Sequence, residues 1–440
     1  MPRLVIEPAA GPLGAAVGLP ARSLAPDLAR GAMLLLIALA HAHMYLYGHP
    51  TGFRGYDLTG GPIDRVVAGL QVLLVDARAL PMFAALFGYG LVQLANRQLA
   101  AGAGWPDVRR LLRRRSLWLI AFGFAHALLL FFGDILVTYG LLALILVGMV
   151  RARDRVLLWV AGLWILVFAA LAMLPAWAII TEGSPPLPTS VESPVEAVGQ
   201  RLAVWAGLGP MLALDIVTPF LLGIWAARRR LLDEPGRHRA LLARVAAAGL
   251  AITILGGAPL ALIDSGVWTD WTTGAALLAY SVHSVTGIAG GLAYAAMADL
   301  LAHRAADTPG RVTTPPAAGR VTTPLAARPV ITPPAARPVS TAPAAGPVTT
   351  ALAACGQRSL TCYLLQSVIF VAFFAPFTLG LGGRLGDAGA SALALGTWLT
   401  TVLLADLMRR AGWRGPAEQL LRRLTYTTRR SASPHEPNIR

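Results

Sequence analysis

The sequence predicts an all-α protein, a polytopic transmembrane helical bundle of about ten spans with both N and C termini cytoplasmic. Three observations predict it. Apolar residues make up 56% of the 440 and charged residues 13%, and the mean hydropathy is +0.61, whereas soluble domains carry roughly 25% charged residues. The apolar residues fall in separate runs long enough to cross about 30 Å of hydrocarbon. The 37 basic residues are all arginines, and they gather at every second exit from those runs.

Residues 1–24 mix Pro, Gly, Ala and a few charges, with no compact apolar core before a cleavage-like site. They are expected to be a disordered cytoplasmic arm, not a signal peptide. Residues 25–180 form the N-terminal transmembrane half, whose first span runs from about Ala32 to Tyr47 and is entered through Asp27 and Arg30. The stretch Asp64 to Ala95 would make a helix of about 48 Å, too long for one crossing. A break is expected at Arg78 and Pro81, with residues 64–76 along the outer interface and 79–96 crossing. Spans follow at about Ser116 to Phe132, Ile135 to Val150 and Val156 to Ile180.

Residues 181–210 are expected to be an extracytoplasmic loop with an interfacial helix. The central spans of 211–303 lie at about Met211 to Ala227, Leu241 to Ile263 and Gly274 to Ala298. Residues 304–356 form a Pro/Ala/Thr-rich cytoplasmic linker, in which the pattern at Arg311–Ala318 returns, varied, at Arg320–Ala327. Such a composition cannot bury a core. A C-terminal pair at 357–410, Ser359 to Leu379 and Ala390 to Met408, precedes a basic cytoplasmic tail over 411–440.

Arginine placement tests this order, because cytoplasmic loops carry the excess of positive charge. Arg97 and Arg109 to Arg115 follow the second span, Arg151 to Arg155 the fourth, Arg228 to Arg244 the sixth, Arg304 to Arg358 the eighth and Arg409 to Arg423 the tenth. The intervening loops 48–63, 133–134, 181–200, 264–273 and 380–389 hold only Arg54 and Arg384. The net charge of +15 is therefore topological. No aromatic-interleaved basic patch is present, which excludes nucleic acid as a partner and leaves the lipid bilayer. Cys355 and Cys362 make neither a disulfide framework nor a metal spacing, and no phosphate loop, zinc spacing or serine-nucleophile motif occurs.

An ionisable side chain inside a bilayer costs about 2.5 to 3.5 kcal/mol on insertion scales, so each one calls for a reason. His41, His43, His126 and His283 fall in the outer halves of their spans, Asp134 caps the fourth span, Asp76 and Arg78 stand at the outer break, and Asp215 lies in the sixth span. All are on one side, which suggests one polar cavity open to the outside. A neutral imidazole beside a carboxylate suits general-base catalysis, and the same groups suit substrate binding or proton relay. Structural roles stand beside these: Asp134 as a helix cap, Arg78 snorkelling, Asp76 and Asp215 in ion pairs. His41 and His43 are two residues apart, so only one is expected to face the cavity. At the inner end, Asp27 and Arg30 suit either an ion pair or the binding of an anionic donor. Gly88 and Gly90 suit close helix approach.

Asp27-Leu-Ala-Arg-Gly31, Met82-Phe-Ala-Ala-Leu-Phe-Gly-Tyr-Gly90, Phe122-Gly-Phe-Ala-His126 and Gly133-Asp-Ile-Leu-Val-Thr-Tyr139 resemble the YeiB-like family of bacterial inner-membrane proteins, domain of unknown function 418. Gly356 to Ser367, which includes Gln366, and Gly415 to Tyr426 agree, so the resemblance covers nearly the whole chain. The family has no settled activity but is distantly similar to membrane acyltransferases. What that similarity implies is a cytosolic acyl-coenzyme A as donor, an extracytoplasmic glycan, lipid-linked or small hydroxylated acceptor, His126 as catalytic base and Asp134 as its partner. His41, Asp76, Arg78, Asp215, His283 and Gln366 are then candidates for substrate binding, and Asp27 and Arg30 for donor binding. Two features depart from the family: a histidine at 41 or 43, where Asn or another small polar residue is expected, and the Pro-rich linker. A transporter or exporter of a small polar or lipid-linked molecule stays open, as does an envelope scaffold. Only one broken span is visible in the sequence, without the matching break that transporters with inverted repeats show.

Overall fold

A computed structural model describes residues 24–184, 187–307 and 346–426. The expected N-terminal arm up to residue 23, linker residues 308–345 and tail residues 427–440 lie outside the described residues. Every regular element among the described residues is helical. Outside the helices, one isolated bridge joins Thr51 and Asp57.

The helices run in order α1 (Leu24–Ala42), α2 (Pro62–Leu74), α3 (Ala79–Ala100), α4 (Trp105–Leu129), α5 (Leu136–Ile145), α6 (Asp154–Leu171) and α7 (Leu174–Glu182). They continue as α8 (Pro194–Arg228), α9 (Pro235–Asp264), α10 (Thr273–Asp307), α11 (Pro347–Gln357), α12 (Ser359–Phe374), α13 (Asp387–Arg410) and α14 (Pro416–Thr425). Among the described residues, seven helical runs are long and apolar enough to cross a membrane, or eight when α11 and α12, which meet at 85°, count as one span. The sequence predicts about ten, and the difference lies in α4 and α5. The first half of α4 carries Arg109, Arg110, Arg113, Arg114 and Arg115, and α5 has 10 residues before a 3-10 turn at Leu146–Arg151.

Large apolar side chains face outward on these helices: Trp159 is 78% exposed, Leu255 75% and Ile145 74%. Such faces suit lipid, where a helix satisfies its own backbone hydrogen bonds. The protein is a multi-pass membrane protein held in a lipid bilayer.

The break between α2 and α3 falls at residues 75–78, close to the predicted place, with Ala77 in left-handed conformation at φ 57°. Residues 64–76 do not turn sharply away from 79–96 at this break. Pro62–Ala100 forms one run of 39 residues, and the pair bent by more than 40° is α11 and α12. Arg78 explains why the break does not turn the chain. Its guanidinium donates to the carbonyls of Val72 (3.0 Å), Asp76 and, across on α9, Thr253 (2.9 Å), so carbonyls freed by the break stay satisfied. The second break, at Arg358 between α11 and α12, lies where the sequence shows none. Arg358 binds the carbonyls of Ala354 at 3.1 Å and Trp413 at 2.5 Å there. The Cys355 and Cys362 sulfurs, both free thiols, lie 3.7 Å apart across this bend.

The segment 181–210, expected as an outer loop with an interfacial helix, holds the first turns of α8 from Pro194, which runs on through Pro210 and Pro219 to Arg228. Gly88 on α3 and Gly223 on α8 bring those two helices into backbone contact: a Cβ at either would strike the carbonyl of Phe220 or Ala85. Small residues at such contacts let membrane helices approach closely enough for van der Waals packing of their backbones.

Candidate functional site

α4 and α5 are joined by the tight Phe131-Phe132-Gly133 turn and pack against each other as an antiparallel pair. The pairing depends on Gly123, where a Cβ would meet Asp134 Oδ1 at 2.5 Å and the backbone nitrogen of Val137. His126 lies three residues further, on the same face of α4. Its Nδ1 is 2.8 Å from Asp134 Oδ2, with both side chains 0% exposed. The other Asp134 oxygen accepts the Val137 N–H at 2.9 Å, so Asp134 both caps the start of α5 and orients the histidine. His126 Nε2 lies 2.8 Å from Ser367 Oγ on α12. An ionised carboxylate only accepts, which puts the imidazole proton on Nδ1; Nε2 then accepts the Ser367 hydroxyl.

The Tyr363 ring, one turn before Ser367 on α12, packs 4.8 Å from the His126 ring. Tyr363 also lines a cavity of about 510 Å³, a volume suited to a small-molecule ligand. The cavity opens at the end of the bundle where α1 and α12 begin and α3 and α13 finish. Six arginines, Arg30, Arg97, Arg115, Arg358, Arg414 and Arg422, line it against two carboxylates, Asp27 and Glu418. Its deep wall is apolar and aromatic, with Phe83, Phe87, Ile135 and Tyr139 beside Tyr363. Arg30 Nη1 contacts Asp27 Oδ1 at 3.3 Å, so these two residues are an ion pair and part of the cavity rim at once.

The outward polar residues, expected as one cluster, divide into two. His41 stays with His126: its ring lies 4.3 Å from Phe131 and 6.2 Å from Tyr363. Gln366, beside Ser367, donates to the Leu34 carbonyl at 3.3 Å, while its Oε1 is buried without a partner among the described residues. His43 leaves this group, stacking 4.0 Å from Tyr56 with its Nε2 3.0 Å from the Arg54 carbonyl. Asp76 joins that second group through Arg54 Nε at 3.6 Å, and Asp264 accepts the Phe53 and Arg54 N–H groups at 2.9 and 2.8 Å. Burial, and after it the Asp76 carboxylate, raise the Tyr56 phenol well above its ordinary range, so the ring stays neutral.

Arg78 is fully buried at the helix break with His283, whose Nδ1 is 3.1 Å from it. Their partners tie α3 to α9 and α10, away from His126. Asp215 on α8 faces the second group, within electrostatic reach of Arg54 and Tyr280. Among the described residues, no set of three or more His, Cys, Asp or Glu side chains could hold a metal ion.

Sequence reasoning missed Ser367, Tyr363 and most of the arginine ring. Tyr363 and Ser367 stand at i and i+4 inside the Gly356 to Ser367 block, which puts two polar groups on one face of an apolar helix. That spacing is the signal that would have found them. The arginines read in the sequence as topological charge alone.

Fold and interior together define a polytopic helical membrane protein with a buried His–Asp pair and a basic cavity. Residues 226–321 and 339–428 match the family model described as "Protein of unknown function (DUF418)". The uncharacterized protein YxaH of Bacillus subtilis is 25% identical over 391 residues, 82% of this chain and 83% of that protein. The uncharacterized protein YeiB of Escherichia coli is 29% identical over 163 residues, 34% of this chain and 39% of that protein. The chain is thus similar to the DUF418 proteins within residues 226–428 and to YxaH over most of its length.

Proposed function

We propose that this protein is a membrane-embedded acyltransferase, moving an acyl group from a cytosolic acyl-coenzyme A to an extracytoplasmic glycan or small hydroxylated acceptor. One observation carries the reading: a cavity ringed by arginines at one end stops against Tyr363, and the other edge of that ring touches the buried His126–Asp134 pair. Arginine forks suit the phosphates of a coenzyme, and an apolar, aromatic end suits its acyl chain. Asp134 holds the His126 proton on Nδ1, which leaves Nε2 to take a proton from an attacking hydroxyl. Asp27 and Arg30 sit at the donor mouth. His41 and Gln366 border the reacting centre; Asp76 and Asp215 lie toward the acceptor side, and Arg78 with His283 steadies the break beneath it.

The topology that fits is ten spans in the cytoplasmic membrane, with α4 and α5 counted as crossings and both termini inside. The arginine-rich end, which holds the cavity mouth, is then the cytoplasmic face.

Supplying labelled acyl-coenzyme A to inside-out vesicles tests the reading. Label should enter envelope material with the wild type and not with His126→Ala. Equal labelling by both removes His126 from the chemistry, and no labelling by either removes the activity for that donor. The second break, at Arg358, favours one rival, since paired broken helices are a mark of transporters. Export of a small polar or lipid-linked molecule without consumption of acyl donor would decide for it.

A further inference from the structure

Ser367 has no part in the reading above, yet its hydroxyl is placed as a nucleophile would be. Asp134, His126 and Ser367 form one unbroken hydrogen-bonded line, with 2.8 Å on each side of the imidazole. All three side chains are buried. The line is the acid, base and hydroxyl order by which a histidine activates a serine, and such triads are recognised by geometry and roles, not by sequence position. Serine also occupies the one ring nitrogen able to act as base. A free acceptor hydroxyl would have to displace it to reach Nε2.

Position along α12 adds a second argument. The helix starts at the basic end, Tyr363 closes the cavity, and Ser367 stands four residues beyond, about 6 Å further from the cavity mouth. The cavity ends at the Tyr363 ring, so a thioester brought up it reaches Ser367 once that ring turns aside. A donor from one face and an acceptor from the other can then use the same base in turn.

We propose that Ser367 is a catalytic nucleophile that carries the acyl group as an ester between donor and acceptor. The proposal rests on the acyltransferase reading. In the first half, the Ser367 Oγ–carbonyl bond forms as the thioester C–S bond breaks; the hydroxyl proton passes to His126 Nε2 and on to the departing coenzyme sulfur. In the second half, an acceptor hydroxyl gives its proton to Nε2 and attacks the ester, and the proton returns to Ser367 Oγ as that bond breaks. Asp134 stays ionised throughout, and no further reactant is consumed.

The test incubates purified full-length protein with labelled acetyl-coenzyme A and no acceptor, then measures free coenzyme and the mass of the peptide that contains residue 367. The expected result is release of about one coenzyme per chain and an acetyl group on Ser367, the burst that marks a covalent intermediate. Ser367→Ala should lose both the burst and the vesicle labelling. Ser367→Cys, which keeps a nucleophile, should show the acetyl group as a thioester that neutral hydroxylamine removes. Full vesicle labelling by Ser367→Ala overturns the covalent step and leaves the acyltransferase standing. Absence of vesicle labelling by the wild type overturns both.

Discussion

Glu418 on α14 accepts the backbone N–H groups of Leu360 and Thr361, at 2.7 and 3.1 Å, and so fastens the last described helix onto the first turn of α12. A carboxylate at a helix N-terminus satisfies orphan donors and opposes the positive end of the helix dipole. Glu418, with Arg414 and Arg422 on either side, also forms part of the cavity rim. Glu418→Ala should therefore lower thermal stability in detergent by the loss of a cap, about 1 to 2 kcal/mol, and weaken donor binding as the rim loosens. A thermal melt with and without coenzyme A checks both effects.

The His126–Asp134 bond sets a second expectation. Asp134→Asn keeps the shape, but its amide can donate toward Nδ1, which favours the tautomer with the proton on Nε2. Transfer should fall by at least about a hundredfold while the melting point changes little. A drop in stability equal to that of an unfolded variant would assign Asp134 to capping alone.

Gly123 allows no side chain between α4 and α5. Gly123→Ala should cost about 1 to 3 kcal/mol, the range for overpacking. It should also move His126 relative to Asp134, so stability and transfer fall together. Activity lost with the melting point unchanged would contradict this coupling.

The arginines divide by role. Arg97→Gln and Arg414→Gln, at the open cavity, should raise KM for the donor several-fold with kcat nearly unchanged, an effect that shrinks as salt screens exposed charge. Arg78→Gln should instead reduce the yield of folded protein, because it leaves buried carbonyls of Val72, Asp76 and Thr253 without their donor. Steady-state kinetics at two salt concentrations, with size-exclusion profiles of each variant, separate the two classes.

How far the sequence could be read depended on the range of the forces involved. Hydrophobic runs and arginine placement are local, so the helical membrane character and most helix positions were legible. The continuity of residues 62–100 through the break was not legible, because Arg78, which satisfies the carbonyls of Val72 and Asp76, is itself held by the Thr253 carbonyl on α9, far away in sequence. The bend at Arg358 was invisible for a similar reason: its partner Trp413 lies in another segment. His126 and Asp134 are eight residues apart on a tight hairpin, and the family resemblance pairs them, whereas Ser367 reaches His126 from 241 positions away. Depth in the membrane alone made Arg78 and His283 look like part of one cluster. Lateral position, which the sequence does not encode directly, separates them from His126.

Sidedness tests the central claim most directly. Labelled acyl-coenzyme A, which does not cross bilayers, should be supplied separately to inside-out and right-side-out vesicles bearing wild type or His126→Gln. The account, in which the arginine-lined mouth is proposed to face the cytoplasm and His126 to perform the step, predicts acyl transfer from inside-out wild-type vesicles alone. Equal transfer from right-side-out vesicles, or from His126→Gln, would contradict it.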